Sequence, residues 1–186
     1  MPHLLRLKHW QVFLLLFVLP FLLQYGLLAL CAATAVRPGW VITLLLDALP
    51  SVAYILWLWR IGWSLFRRLP TTIRISSLYF HAGAVYFMLY TLLFIYTISL
   101  VKESVLEGNL PFGMLLLLLP MHLLATFCFL YMVYFVARSL VSVEQQRVVG
   151  LGEFAGAYFL FMFLPLGIWL LQPRLHRLAS GNENPA

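Results

Sequence analysis

The sequence predicts an all-α fold, a polytopic membrane helix bundle of about five transmembrane helices. Three observations carry that expectation. Of the 186 residues, 63% are hydrophobic and 10% are charged, whereas soluble domains run at about a quarter charged. A surface so poor in charge has to meet lipid. The apolar residues fall in runs long enough to be helices of about 20 residues, which is what a hydrocarbon core about 30 Å thick requires. Short segments rich in proline, glycine and arginine separate the runs, and such residues stop helices. The chain therefore reads as a single transmembrane domain over 1–178 with a flexible tail over 179–186.

The first span is expected at 10–33. Basic residues before it (Arg6, Lys8) and small ones after it imitate a signal peptide. The apolar run from Val12 to Leu30 is longer than the usual apolar region of about 7–15 residues, so it reads as an uncleaved span. Arg37-Pro38-Gly39 turns the chain, and a second span follows at 40–63, kinked at Pro50. Arg60, Arg67, Arg68 and Arg74 flank the break at Pro70. A third span is expected at 77–101 and a fourth at 112–137, joined by a short polar loop. The segment 138–150 is expected to carry the fourth helix onward into water.

The fifth span, 151–171, holds Gly152 and Gly156, Glu153 near the membrane edge, and a Pro165-Leu166-Gly167 break. Its Gly-x-x-x-Gly spacing permits close helix packing, expected within the chain. If Pro165 and Gly167 turn the chain back, the architecture becomes four spans plus a re-entrant C-terminal hairpin. That alternative requires neighbouring helices to cover the freed backbone groups.

Lysine and arginine set orientation through their excess in cytoplasmic loops. With the N-terminus inside, Arg6, Lys8, Arg60, Arg67, Arg68, Arg74, Arg138 and Arg147 lie inside, and Arg37, Lys102, Arg174 and Arg177 outside. A re-entrant hairpin would bring Arg174 and Arg177 inside as well. Trp10, Trp40, Trp63 and Trp169 fall at expected span ends, where aromatic belts form. The net charge of +6 sits beside apolar runs, so the expected partners are the lipid bilayer and its anionic headgroups rather than nucleic acid. Arg67, Arg68 and Arg74 are the headgroup candidates.

Ionisable groups at membrane depth cost about 2.5–3.5 kcal/mol on insertion scales, so they mark candidate sites. Asp47 lies about 10 Å into the second span and His122 about 15 Å into the fourth, at a rise of about 1.5 Å per residue. Gln24 and Tyr90 reach similar heights on the first and third spans. Converging, these four would make a proton-responsive or ligand-binding cluster, with Asp47 accepting a bond from His122 or Tyr90. Ser51 and Tyr54 share the Asp47 face, one and two turns on. Separately, each of the four would satisfy local groups and lock helix packing. A second polar layer, His81, Glu153, Arg138 and Arg60, is expected near the inner face. There a Glu153 pair with Arg138 or Arg147 would anchor the fifth span.

No nucleophile elbow, phosphate loop, dinucleotide glycine pattern or zinc-protease motif is present. Cys31 and Cys128 lack a Cys or His neighbour at ligand spacing. The sequence therefore indicates no cofactor, metal site or catalytic residue.

The string Phe163-Leu164-Pro165-Leu166-Gly167-Ile168-Trp169-Leu170-Leu171-Gln172-Pro173-Arg174-Leu175, with Glu153-Phe154 before it, resembles the C-terminal end of a group of small multi-pass membrane proteins of Bacteroidota. Their pattern reads F-P-[IL]-G-I-W-x-x-Q-P-[RK]-[IL], and this chain departs by inserting Leu164. The likeness covers the last quarter of the chain. It implies a bacterial inner-membrane protein and brings no activity with it; the cytoplasmic N-terminus is expected from the charge count alone. Three readings follow. The leading one is an accessory subunit or scaffold that takes other membrane subunits as partners. The second is a small transporter, channel or proton-coupled sensor built on the Asp47 cluster. The third is a lipid-modifying enzyme using His81 and Glu153.

Overall fold

The computed structural model describes residues 7–35, 39–70, 73, 75–109 and 111–180. Among them the regular structure is helical throughout. Helix α1 is His9–Thr34, α2 is Trp40–Phe66, α3 is Leu78–Leu106 and α4 is Phe112–Gln145. These four are long and apolar enough to cross a membrane. Two shorter helices follow, α5 (Leu151–Met162) and α6 (Leu164–Ser180). The protein is a membrane-embedded helical bundle. The expected tail beyond 180, with Arg6, Arg37 and Arg74, lies outside the described residues.

Each of the four long helices starts within a residue of the expected position. Their far ends run on, because an apolar run marks lipid contact whereas a helix continues wherever backbone bonds can form. Within α1 the turn Leu14–Val18 widens to a π-helix just before Pro20. Proline lacks an N–H and its ring collides with the carbonyl four residues back, and a widened turn relieves that collision.

The fifth segment is not one continuous helix. It breaks at Phe163, whose φ of −95° and ψ of 66° leave the helical region, and α6 folds back along α5. Gly167 makes the return possible. A Cβ there would stand 1.8 Å from the Leu160 carbonyl oxygen, so the two helices meet backbone to backbone. Pro165 sits in the first turn of α6, where a missing N–H costs nothing. The backbone freed at membrane depth is covered: the Tyr54 hydroxyl of α2 donates to the Phe161 carbonyl at 2.9 Å, and the Gly167 amide donates to the Phe163 carbonyl at 2.8 Å.

Three contacts fix where α6 goes. The Gln172 side-chain amide donates to the Leu7 carbonyl at 2.8 Å. Arg174 forms an ion pair with Glu144 at the close of α4. Arg68, just after α2, donates to the Leu178 carbonyl at 2.6 Å. All lie at the end of the bundle where α1 begins, called here the basic end. The architecture is four membrane-length helices plus a C-terminal helical hairpin, α5 and α6.

The hairpin also places the core. Ile168, Leu171, Leu175 and Ala179 of α6 are fully buried, together with Phe154 and Phe161 of α5. They pack on Leu58, Ile61 and Leu65 of α2 and on 132–143 of α4. The expectation that 138–150 leaves the protein for water is thereby corrected. The helix does continue, to Gln145, but Ser139, Leu140, Val141 and Ser142 are enclosed because the hairpin packs over them. Lipid is as apolar as a leucine side chain, so membrane helices associate through close packing at small residues. Gly62 is such a point: a Cβ there would come within 2.4 Å of the Phe80 ring and 2.9 Å of Val136. Phe80 in turn stacks on Phe135 at 4.4 Å between ring centres.

Candidate functional site

The half of the bundle away from the basic end carries the polar residues of interest, and the structure joins them in two pairs. Gln24 of α1 donates its amide to Asp47 Oδ1 of α2 at 2.7 Å. The Tyr90 hydroxyl of α3 and His122 Nδ1 of α4 share a hydrogen bond at 2.7 Å. Helix periodicity explains both: each side chain sits on the face its helix turns toward the neighbour next in the chain. Asp47 and Gln24 are part-buried, and Tyr90 is buried, whereas His122 is exposed at the edge of the α3–α4 seam, its ring against Tyr90 and Phe94.

The expected bond from His122 or Tyr90 to Asp47 is corrected. Asp47 takes its partner from α1, and no hydrogen bond links the two pairs among the described residues. Tyr54, placed with Asp47 by spacing, serves the hairpin instead. Around the second pair the packing is aromatic. The Phe94 ring lies 5.7 Å from the His122 ring, Tyr86 stacks on Tyr90, and the Tyr86 hydroxyl donates to the Met121 carbonyl at 3.1 Å. Chemically, a phenol bonded to an imidazole at membrane depth can hold or pass a proton, and a carboxylate held by an amide can bind a cation or a proton.

The second expected layer is divided among separate neighbours. His81 Nδ1 donates to the Ser77 carbonyl at 2.7 Å, and its ring stands edge-on to Trp63 at 4.9 Å and to Trp59 at 6.0 Å. Glu153 pairs with Arg147 and accepts from the Gly150 amide at 2.7 Å, capping α5. Arg138 donates to the Tyr134 hydroxyl at 3.0 Å instead of to Glu153. Arg60 is exposed near the basic end of α2.

Of the headgroup candidates, Arg67 is exposed and lies over the Trp63 ring at 5.2 Å. Arg68 is part-buried and holds the end of α6. Cys31 and Cys128 are free thiols. Among the described residues no group of three or more His, Cys, Asp or Glu is placed to hold a metal. The expected packing of Gly152 and Gly156 within the chain is also corrected, since a Cβ at either would meet open space.

Spacing alone missed several residues that organise the protein. Tyr54 and Gln172 read as ordinary polar side chains, although their bonds to Phe161 and Leu7 set the hairpin. Glu144 at the close of α4 and Arg174 in the middle of α6 are opposite charges 30 positions apart, and opposite sign was the one signal available for their pairing. Between α4 and α5 lies a lateral apolar groove of about 540 Å³, lined by a helical stripe on each side: Phe127, Tyr131 and Tyr134 on α4, and Phe154 and Tyr158 on α5.

Comparison with known proteins gives no match: no family model, no curated protein and no solved structure.

Proposed function

We propose that this chain is an accessory subunit of a membrane complex, embedded in a bacterial inner membrane with its N-terminus in the cytoplasm. The observation that carries the reading is the exposed position of His122 on a membrane-length helix, bonded on one side only. A polar ring facing hydrocarbon is costly, whereas a partner helix supplies the missing contact. Around it α4 offers exposed Leu119, Leu123 and Phe127, a face that a second helix can cover. Charge supports the orientation. With the hairpin returning to the basic end, eight of the nine described lysines and arginines lie toward that side and Lys102 toward the other. The C-terminal likeness to small membrane proteins of Bacteroidota supports the bacterial assignment.

The test is purification of the tagged chain from its native membrane in mild detergent, with a photo-cross-linker at Leu123. A membrane partner at fixed stoichiometry, trapped from Leu123 and lost on His122→Leu, is the expected result. A chain that purifies alone and traps only lipid overturns the reading.

One observation favours a second reading, a proton-coupled carrier or sensor. Two hydrogen-bonded pairs with titratable members, Asp47 and His122, stand at similar heights on four helices. In that case Asp47→Asn abolishes proton-linked flux in proteoliposomes while folding persists.

A further inference from the structure

We propose that the groove between α4 and α5 is a seat for one acyl chain of an anionic membrane phospholipid, with Arg138 binding its phosphate. The groove runs along two antiparallel helices, from Tyr134 and Phe154 toward the basic end to Phe127 and Phe159 in the bundle's middle. From Phe127 to Tyr134 it extends about 10 Å, by the rise of about 1.5 Å per residue. Its volume of about 540 Å³ is of the size that holds a small ligand, about 300–1,000 Å³. The walls are aromatic rings and aliphatic side chains, and Ala155 is the smallest side chain among them. A side pocket of that composition, in a helix pair facing lipid, fits a hydrocarbon chain.

Charge selects the headgroup. Arg138 lies one turn beyond Tyr134 on α4, toward the basic end, and its guanidinium donates to the hydroxyl of that groove-lining tyrosine at 3.0 Å. It also stands 5.9 Å from the centre of the Tyr134 ring. Among the described residues it has no carboxylate at ion-pair distance, because Glu153 is taken by Arg147 and Glu144 by Arg174. A part-buried guanidinium with donors to spare, at the mouth of an apolar groove, matches a lipid phosphate, which arginine binds through paired charge-assisted bonds. The anchor thus pairs hydrocarbon in the groove with negative charge at its mouth.

The test uses the full chain in mild detergent, titrated with phosphatidylglycerol and with phosphatidylcholine of the same acyl chains, and read by native mass spectrometry. The wild type is expected to retain one phosphatidylglycerol in preference to phosphatidylcholine, unaffected by inorganic phosphate. Arg138→Gln should lower that preference about tenfold, as loss of a charge-assisted bond implies, and Arg138→Lys should keep most of it. Ala155→Phe, or the milder Ala155→Leu, should weaken both lipids alike by filling the groove. The preference is a ratio within one sample, so partial loss of folded protein does not move it. An unchanged ratio in Arg138→Gln overturns the proposal. So does unchanged lipid retention in both Ala155 variants, including the case where they release a protein partner instead, which would make the groove a helix-docking site.

Discussion

Single residues decide whether the hairpin can exist. Gly167 is the least replaceable, because any side chain there meets the Leu160 carbonyl, which is backbone and cannot swing aside. Gly167→Ala is expected to abolish the folded bundle, seen as loss of a monodisperse peak in detergent gel filtration. Gly152→Ala and Gly156→Ala face open space and should leave stability unchanged or raise it by about 0.5–1 kcal/mol through reduced backbone entropy loss. Tyr54→Phe removes the donor to the Phe161 carbonyl and keeps the ring. Thermal unfolding should show a loss of about 1–3 kcal/mol, the cost of an unsatisfied group away from water. The sequence displayed the glycines and the proline of this turn but not Tyr54. A tyrosine on an apolar helix looks the same whether it faces lipid or caps a carbonyl 107 positions away.

At the scale of elements, the apolar runs located four helices well and the fifth segment ambiguously. Length could not decide the fifth, since 151–171 suffices to cross. What decides it is the set of partners waiting for the return helix: Leu7, Glu144 and Arg68, which come from three distant parts of the chain. The same long-range packing explains why 138–150 reads as a water-bound extension; the burial of 139–143 exists only once the hairpin lies over it. In the polar pairs the heights were legible and the partners were not, because helix rotation decides whether Asp47 meets Gln24 or Tyr90. The Arg174–Glu144 pair is about one quarter exposed on each side, between the surface and buried cases. Arg174→Ala should therefore cost about 1–2 kcal/mol, with Glu144→Gln recovering part of it in the double variant. Thermal melting of the two single variants and the double variant measures the coupling.

For the whole molecule, the hairpin brings the chain back to the end where α1 begins, with Gln172 against Leu7, which fits an even number of crossings. Reporters fused at the N-terminus and at the C-terminus should give the same side of the membrane, and opposite signals would restore five crossings. The bundle is also unequal along its axis. Near the basic end the hairpin fills the space between α1, α2 and α4, while the far half relies on two polar pairs and a few aromatic contacts. The late position of the hairpin in the chain has a consequence for biogenesis. Ile168, Leu171, Leu175 and Ala179 complete the interior, yet they are translated after all four long helices. Until they arrive, Tyr54 and Leu58 lack the hairpin that they pack against in the finished fold. A ribosome that stops before residue 151 leaves an unfinished interior, which gives membrane quality control a feature by which to recognise a truncated product.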